Sequence, residues 1–239
     1  MPTITPPEGR IHTLSPETFE AILQFDTCSI ANAIESFRVR LRNEGFTRPG
    51  LWCVTGKSSR MLGYAATCRI RSADPPVSGS SFLDRTDWWG SVGLLPVPRI
   101  AVIQDLEADY GWGAAIGEVH AAVLKAFHFA GAITDGAVRD IEAVSAIGFP
   151  MLARAAAVSH AYAHLVDYGE PVEIMGLQIR SGDLLYADHH GVLSVPVEIA
   201  EQLPAAASEI RKRERRIIEI CQAPGFTPEK LLAVVRSSS

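Results

Sequence analysis

The middle third of this chain alternates strand and helix signals, and that rhythm leaves it few ways to fold. Arg99-Ile-Ala-Val-Ile-Gln-Asp105 is an apolar run closed by an acid and reads as a buried strand. Gly117-Glu-Val-His-Ala-Ala-Val-Leu-Lys-Ala-Phe127 carries helical spacing, with its N-terminus at Gly117-Glu118. Gly131-Ala-Ile-Thr134 reads as a second buried strand that ends in a turn at Asp135-Gly136. A helix near Ile141–Ile147 and a short strand at Pro150-Met-Leu-Ala153 come next. Short apolar strands that alternate with helices need a sheet with helices packed on it. After them, Val172-Glu-Ile, Leu177-Gln-Ile-Arg, Asp183-Leu-Leu-Tyr-Ala and Gly191-Val-Leu-Ser-Val-Pro196 read as short strands joined by tight turns. The expected fold is a single α/β domain with a mixed sheet.

The flanks are helical. Ser15-Pro16-Glu17 is a helix start, with Ser15 as N-cap, Pro16 in the first helical position and an acid in the first turn. Thr27–Phe37 sets Ile30, Ala33, Ile34 and Phe37 on one face. Gly63–Arg71 is strand-like, Ser72–Arg85 is loop-rich, and a long amphipathic helix is expected from about Pro196 to Cys221. The resulting division is an arm over residues 1–15, the α/β domain over 16–222 and a tail over 223–239.

Composition removes several classes of function. A net charge of −5 and a pI near 5.8 offer no basic face to nucleic acid. Cys28, Cys53, Cys68 and Cys221 are scattered with no Cys-x-x-Cys pair, which suits reduced cysteines better than a disulfide frame or zinc site. No apolar stretch approaches the roughly 20 residues that span a membrane, and the N-terminus lacks the charged and apolar regions of a signal peptide. The expected compartment is the cytoplasm.

Chemistry concentrates around the central strand end. Glu118 is followed, after 20 residues, by the adjacent pair Arg139-Asp140. A helix N-terminus at Gly117 offers unpaired N–H groups to a carboxylate or phosphate, and glycine lets a ligand approach the backbone. An oxygen ligand beside a guanidinium suits a hard cation together with an anionic substrate. Taken alone, each piece has a plainer reading: acids favour first helical turns for stability, and Arg-Asp after a turn is commonly a surface ion pair.

Other clusters carry less. His160-Ala-Tyr-Ala-His164 places two histidines one helical turn apart, yet with no third ligand and no His-Glu-x-x-His glutamate a helix face or subunit contact is the expectation. Asp188-His-His-Gly191 reads as a hairpin turn. There is no Gly-x-Ser-x-Gly elbow, Walker loop or Gly-x-Gly-x-x-Gly after a strand. A Schiff-base role for Lys125 has no supporting signal.

From roughly Phe25 to Cys221 the chain resembles the RraA-like family, which includes the class II 4-hydroxy-4-methyl-2-oxoglutarate/4-carboxy-4-hydroxy-2-oxoadipate aldolases. Gly131–Asp140 resembles its most characteristic block, Phe25–Glu35 its opening helix and Gly182–Pro196 its closing hairpin. The resemblance implies a layered β/β/α sandwich similar to the swivelling phosphohistidine domain. It also implies trimers or dimers of trimers, with active sites between subunits and a divalent cation, Mg2+ or Mn2+. Carried onto this chain, Asp140 would ligate the metal directly and Glu118 through a water. Arg139 would face the substrate's carboxylate or developing enolate, and backbone N–H groups of Gly117, Glu118, Val119 and His120 would hold the pyruvyl carboxylate. Glu214 from a neighbouring subunit is the candidate for a further acid. The implied activity is cleavage of a 4-hydroxy-2-oxo acid to pyruvate and a second carbonyl compound, with oxaloacetate decarboxylation open to the same chemistry. The alternative within the family is a non-catalytic inhibitor that binds ribonuclease E. A methyltransferase reading lacks any glycine-rich adenosylmethionine loop. Two departures stand out: Glu118 where many aldolases carry Asp, and unusual segments at 72–90 and 105–113 that would alter the cleft.

Overall fold

The computed structural model describes residues 12–56, 59–77 and 83–237. Most of the arm expected over 1–15, and Gly79-Ser80-Ser81 of the loop-rich segment, lie outside the described residues. The chain opens with α1 (Pro16–Leu23) and α2 (Thr27–Phe37). Ser15 caps α1 by accepting a hydrogen bond from the Thr18 N–H at 3.2 Å, and Asp26 caps α2 by accepting from the Ser29 N–H at 2.7 Å. A two-residue strand β1 (Trp52–Cys53), β2 (Met61–Arg71) and α3 (Leu83–Ser91) follow.

The alternating centre consists of β3 (Arg99–Asp105), β4 (Ala114–Ile116), α4 (Glu118–Ala126), β5 (Phe129–Val138), α5 (Ile141–Ala146) and β6 (Met151–Ala156). The β-rich stretch supplies β7 (His164–Tyr168), β8 (Val172–Ile174), β9 (Leu177–Ile179), β10 (Leu184–Asp188) and β11 (Gly191–Ser194). Two helices end the chain, α6 (Leu203–Gln222) and α7 (Pro228–Ser237). The helix expected from Pro196 starts later, after a 3-10 turn at Ala200–Gln202, and α7 lies within the stretch read as a tail. Among the described residues, no helix is long and apolar enough to cross a membrane.

The main sheet runs in the order β1-β6-β5-β3-β2-β10-β11, with β4 paired to β5 and β7 paired to β2. β6, β5, β3 and β2 are mutually parallel, while β1, β7, β10 and β11 pair antiparallel. The sheet curls into a nearly closed, barrel-like form with helices packed on it. Alternation along each strand sorts its side chains into two layers. Ile100 and Val102 of β3 turn inward with Met61, Ile133, Leu152 and the β8–β9 hairpin residues Val172, Ile174 and Ile179. Ala101 and Ile103 turn outward to Trp88 of α3 and to Ala121 and Leu124 of α4. Further along that outer face, α1, α2 and α6 cover Leu62, Tyr64, Leu184 and Tyr186. Each fully buried aliphatic side chain contributes roughly 1.5–3 kcal/mol, so these layers, rather than the loops, fix where the strand ends point.

The turn expected at Asp135-Gly136 is instead a kink within β5. The strand continues to Val138, and its pairing with β6 shifts between Thr134 and Ala137. Local hydrogen bonds explain the kink. Thr134 Oγ1 accepts from the Gly136 N–H at 3.0 Å, and Asp135 Oδ1 accepts from the Asp105 N–H at 2.8 Å. A Cβ on Gly136 would lie 2.8 Å from Asp105 Oδ2, so the missing side chain lets the two strand ends close up.

Candidate functional site

The pocket lies where the parallel strands end, the position at which open α/β sheets place their ligands. β4 ends at Ile116, and α4 begins at Glu118 with Gly117 as its N-cap. Beside it, β5 ends at Val138 and delivers Arg139 and Asp140. The Arg139 N–H donates to the Ile116 carbonyl at 2.9 Å, which ties the two segments together. Glu118, Arg139 and Asp140 therefore share one pocket of about 220 Å³, lined also by Gly117, Val119, His120, Arg85, Trp89 and His160.

Asp140 sits at φ 54°, ψ 38°, a left-handed conformation that costs a non-glycine residue energy unless its surroundings hold it there. Its Oδ2 accepts from the Glu118 N–H at 3.1 Å and from Arg139 Nε at 3.2 Å. Its Oδ1 has no hydrogen bond among the described residues. Gly117 makes the arrangement possible: a Cβ there would stand 2.5 Å from Asp140 Oδ2 and 3.0 Å from Arg139 Nε. Because Asp140 takes the Glu118 N–H, the first-turn groups left for a ligand are those of Val119 and His120. The Glu118 side chain is exposed and forms no ion pair among the described residues.

His120 presents its backbone to the pocket and buries its ring. Nδ1 lies 3.3 Å from the Ala115 carbonyl, and Nε2 accepts from Trp89 Nε1 at 3.3 Å, a pairing that fits the neutral tautomer protonated at Nδ1. Burial first, and the positive charge of Arg85 second, push its pKa down to about 3. Trp88 and Trp89 flank the ring at centroid distances of 6.0 and 5.5 Å.

Arg85 and Trp89 come from the unusual 72–90 segment and were not singled out by the sequence reading. Their burial depends on α3 docking against β7, which no local pattern announces. His160 also lines the pocket, but not as half of a helical histidine pair. Ala161 adopts φ 41° in a turn, and His164 opens β7, so the two rings do not share a helix face. Lys125 lies on the far part of α4, where its ammonium holds the Ile147 carbonyl, outside the pocket. Glu214 is on the exposed outer half of α6, also outside its own chain's pocket.

Asp188-His189-His190 forms the hairpin turn expected between β10 and β11, with Asp188 paired to Gly191. It is also the one cluster of three potential metal ligands found among the described residues, its ligand atoms lying within 4.8 Å of one another. Asp188 is already well used there. Its Oδ1 accepts from Thr27 Oγ1 and the His190 N–H, both at 2.8 Å, and Oδ2 accepts from the Thr27 N–H at 3.0 Å. These bonds pin the hairpin to the start of α2.

Comparison with known proteins agrees with this architecture. The profile of the RraA-like family, described as Aldolase/RraA, matches residues 27–194. A protein of Halalkalibacterium halodurans named "Putative 4-hydroxy-4-methyl-2-oxoglutarate aldolase" is 27% identical over 140 residues, 56% of this chain. The chain spans 66% of that relative's length. The crystal structure of an uncharacterized protein from Pseudomonas syringae pv. tomato superposes with a TM-score of 0.71 at 22% identity, covering 98% of this chain and 99% of the other. Streptomyces coelicolor RraAS2, described as an unusual member of the RNase ES inhibitor RraA protein family, gives 0.67 at 18% identity, covering 85% and 96%. At those identities the likeness is one of fold.

Proposed function

The chain belongs to the RraA-like family, and from that premise we propose that it is a divalent-metal-dependent pyruvate aldolase acting on a 4-hydroxy-2-oxo acid. The family contains both aldolases and non-catalytic RraA inhibitors, so membership alone does not decide between them. The observation that carries the proposal is the Asp140 carboxylate. It is fixed through Oδ2 while Oδ1 makes no hydrogen bond among the described residues, at the edge of a pocket that also holds Arg139 and a helix N-terminus. A surface ion pair would need neither the left-handed backbone nor a glycine beside it.

The donor set fits a hard cation. Asp140 and Glu118 offer carboxylate oxygens, the ligands that Mg2+ and Mn2+ prefer; among the described residues Glu118 forms no ion pair and Asp140 pairs with Arg139 through Oδ2, which leaves Oδ1 for an ion. Asp140 would hold the ion, with Glu118 beside it. When bound, the ion supplies Lewis acidity at the 2-oxo group, worth several kcal/mol on an enolate-like transition state. The N–H groups of Val119 and His120 hold the substrate's 1-carboxylate against the positive end of α4. Arg139, clamped by Asp140, presents its remaining N–H groups to the oxygen on which charge develops. The 4-hydroxyl proton passes to a water held by Arg139. The C3–C4 electron pair then moves toward the C2 carbonyl oxygen, and the second carbonyl product departs. The pyruvate enolate finally takes a proton at C3. The same electron sink accommodates loss of CO2 from a 3-carboxy-2-oxo acid such as oxaloacetate.

The assembly we propose is a trimer or dimer of trimers, in which a neighbouring subunit closes the pocket and brings its Glu214 toward it. Val119, 69% exposed at the pocket wall, suits such a covered position. A coupled pyruvate assay with Mg2+ tests the proposal. Arg139→Ala and Asp140→Ala should each lower pyruvate release at least 100-fold, and EDTA should abolish it reversibly. Full activity in either variant, or indifference to EDTA, would sink the assignment.

A further inference from the structure

The turn between β10 and β11 carries chemistry that the proposed reaction leaves unused. His189 and His190 fill its two central positions, where two-residue hairpin loops favour asparagine, aspartate and glycine. Both residues are exposed, and it is Asp188 that bonds to the start of α2, so the turn has no packing need for imidazoles. The two rings nevertheless lie on the same side of the hairpin, with centroids 3.8 Å apart. His190 Nδ1 also stands 3.1 Å from Asp188 Oδ1.

Asp188, His189 and His190 each present a ligand atom, and the three atoms lie within 4.8 Å of one another. Nitrogen ligands about 2.0–2.1 Å from a tetrahedral zinc ion stand about 3.3 Å from each other. Rotation of two exposed side chains closes a gap of about 1.5 Å at most. Asp188 retains room for an ion as well. An ionised carboxylate has about four acceptor positions, and among the described residues Oδ2 takes one bond, from the Thr27 N–H at 3.0 Å. The bonds from Thr27 Oγ1 and the His190 N–H, both at 2.8 Å, hold the carboxylate in place, the support from behind that fixes a metal ligand's orientation. The carboxylates of Asp26 and Asp188 both lie within electrostatic reach of His190, with Arg60 as the cation facing Asp26.

We propose that Asp188, His189 and His190 form a transition-metal site, for Zn2+ or a similar first-row divalent ion, with water completing the coordination. Imidazole suits these borderline metals, whereas Mg2+ prefers oxygen ligands. The site is separate from the pocket. Ala187 pairs with Met61, the first residue of β2, so the turn lies where the parallel strands begin, and the pocket lies where they end. It therefore stands whether or not the chain is an aldolase. Through the Asp188–Thr27 bonds the ion braces the β10–β11 hairpin against α2, and its binding energy becomes stability of the fold.

Calorimetry with Zn2+ on the untagged full chain carrying Asp140→Ala, which removes the proposed pocket ligand, tests the site. One ion per chain should bind, and millimolar Mg2+ should not displace it. His189→Gln and His190→Gln, each added to that chain, should weaken binding at least roughly 10-fold. Zn2+ at about 100 times its Kd should raise the melting temperature by roughly 5–10 °C, and the double variant should lose that shift. Imidazole 15N shifts give a reading that needs no substitution in the turn: His189 and His190 should move as Zn2+ is added. Absence of Zn2+ binding, binding that survives both substitutions, displacement by Mg2+, or 15N changes confined to His160 and His164 would overturn the proposal.

Discussion

Gly117→Ala separates the geometry of the site from the stability of the fold. Gly117 has φ −132° and ψ −169°, ordinary extended backbone, so alanine meets no conformational penalty there. Removing a glycine from an unstrained position stabilises by about 0.4–1 kcal/mol through the unfolded chain. The new methyl, however, would stand 2.5 Å from Asp140 Oδ2, where ordinary contact begins at 3.4 Å. The clash falls on the end of a side chain rather than on backbone, so the carboxylate swings aside by about 0.9 Å. That movement breaks its 3.1 Å bond from the Glu118 N–H and spoils its hold on Arg139. A misplacement of about 1 Å in a catalytic group costs on the order of 100-fold, or about 2.7 kcal/mol of barrier. The expected outcome is a 100-fold loss of metal-dependent pyruvate release with a melting temperature within about 4 °C of native. Calorimetry with Mn2+ should show weakened metal binding in parallel. Native turnover by Gly117→Ala would refute the claim that the Asp140 carboxylate must sit where it does.

Gly131→Ala should do the reverse, because its Cβ would meet the Pro150 carbonyl at 2.6 Å and the Met61 sulfur at 2.5 Å between packed strands. A destabilisation of roughly 1–3 kcal/mol by urea denaturation is expected. The Asp135 carboxyl has its pKa raised to about 6, chiefly by burial and also by the neighbouring Asp105 charge. The folded state therefore holds a proton that the unfolded chain has lost, so this group's contribution falls as pH rises from about 4 to about 6. His120, depressed to about 3, works oppositely: its contribution is lost as pH falls below the unfolded value of 6.5. Asp135→Asn removes the first effect and leaves the second. Denaturation midpoints of that variant should then drop more steeply between pH 6 and pH 4 than those of the native chain. Parallel curves would contradict the buried environment assigned to Asp135.

How much of this was legible in the sequence depends on the range over which each feature is decided. The caps at Ser15 and Gly117 and the limits of α2 and β3 follow from residues within a turn of one another, and the reading placed them correctly. The Asp135-Gly136 signal was real but misjudged. The same pair serves a reversal or a bulge, and the choice is made by Asp105, 30 residues earlier, whose N–H engages Asp135. The helix face expected at His160 and His164 does not form for a similar reason: pairing of β7 with β2 overrides a helical spacing that offered no buried stripe of its own.

The site divides along the same line. Gly117, Glu118, Arg139 and Asp140 could be gathered from sequence because β4 and β5 are neighbours and each hands over directly to a helix. Arg85 could not, because an arginine in a Gly- and Pro-rich stretch is ordinarily a solvated charge, and only the docking of α3 against the sheet makes it half-buried. The residues proposed to perform the chemistry thus lie on elements whose positions are fixed locally. Arg85, which lines the pocket wall, lies on a segment placed by tertiary contacts. α3 can therefore change while the strand ends stay fixed, so the pocket wall formed by Arg85 and Trp89 can be altered without disturbing Arg139, Asp140 or the N-terminus of α4.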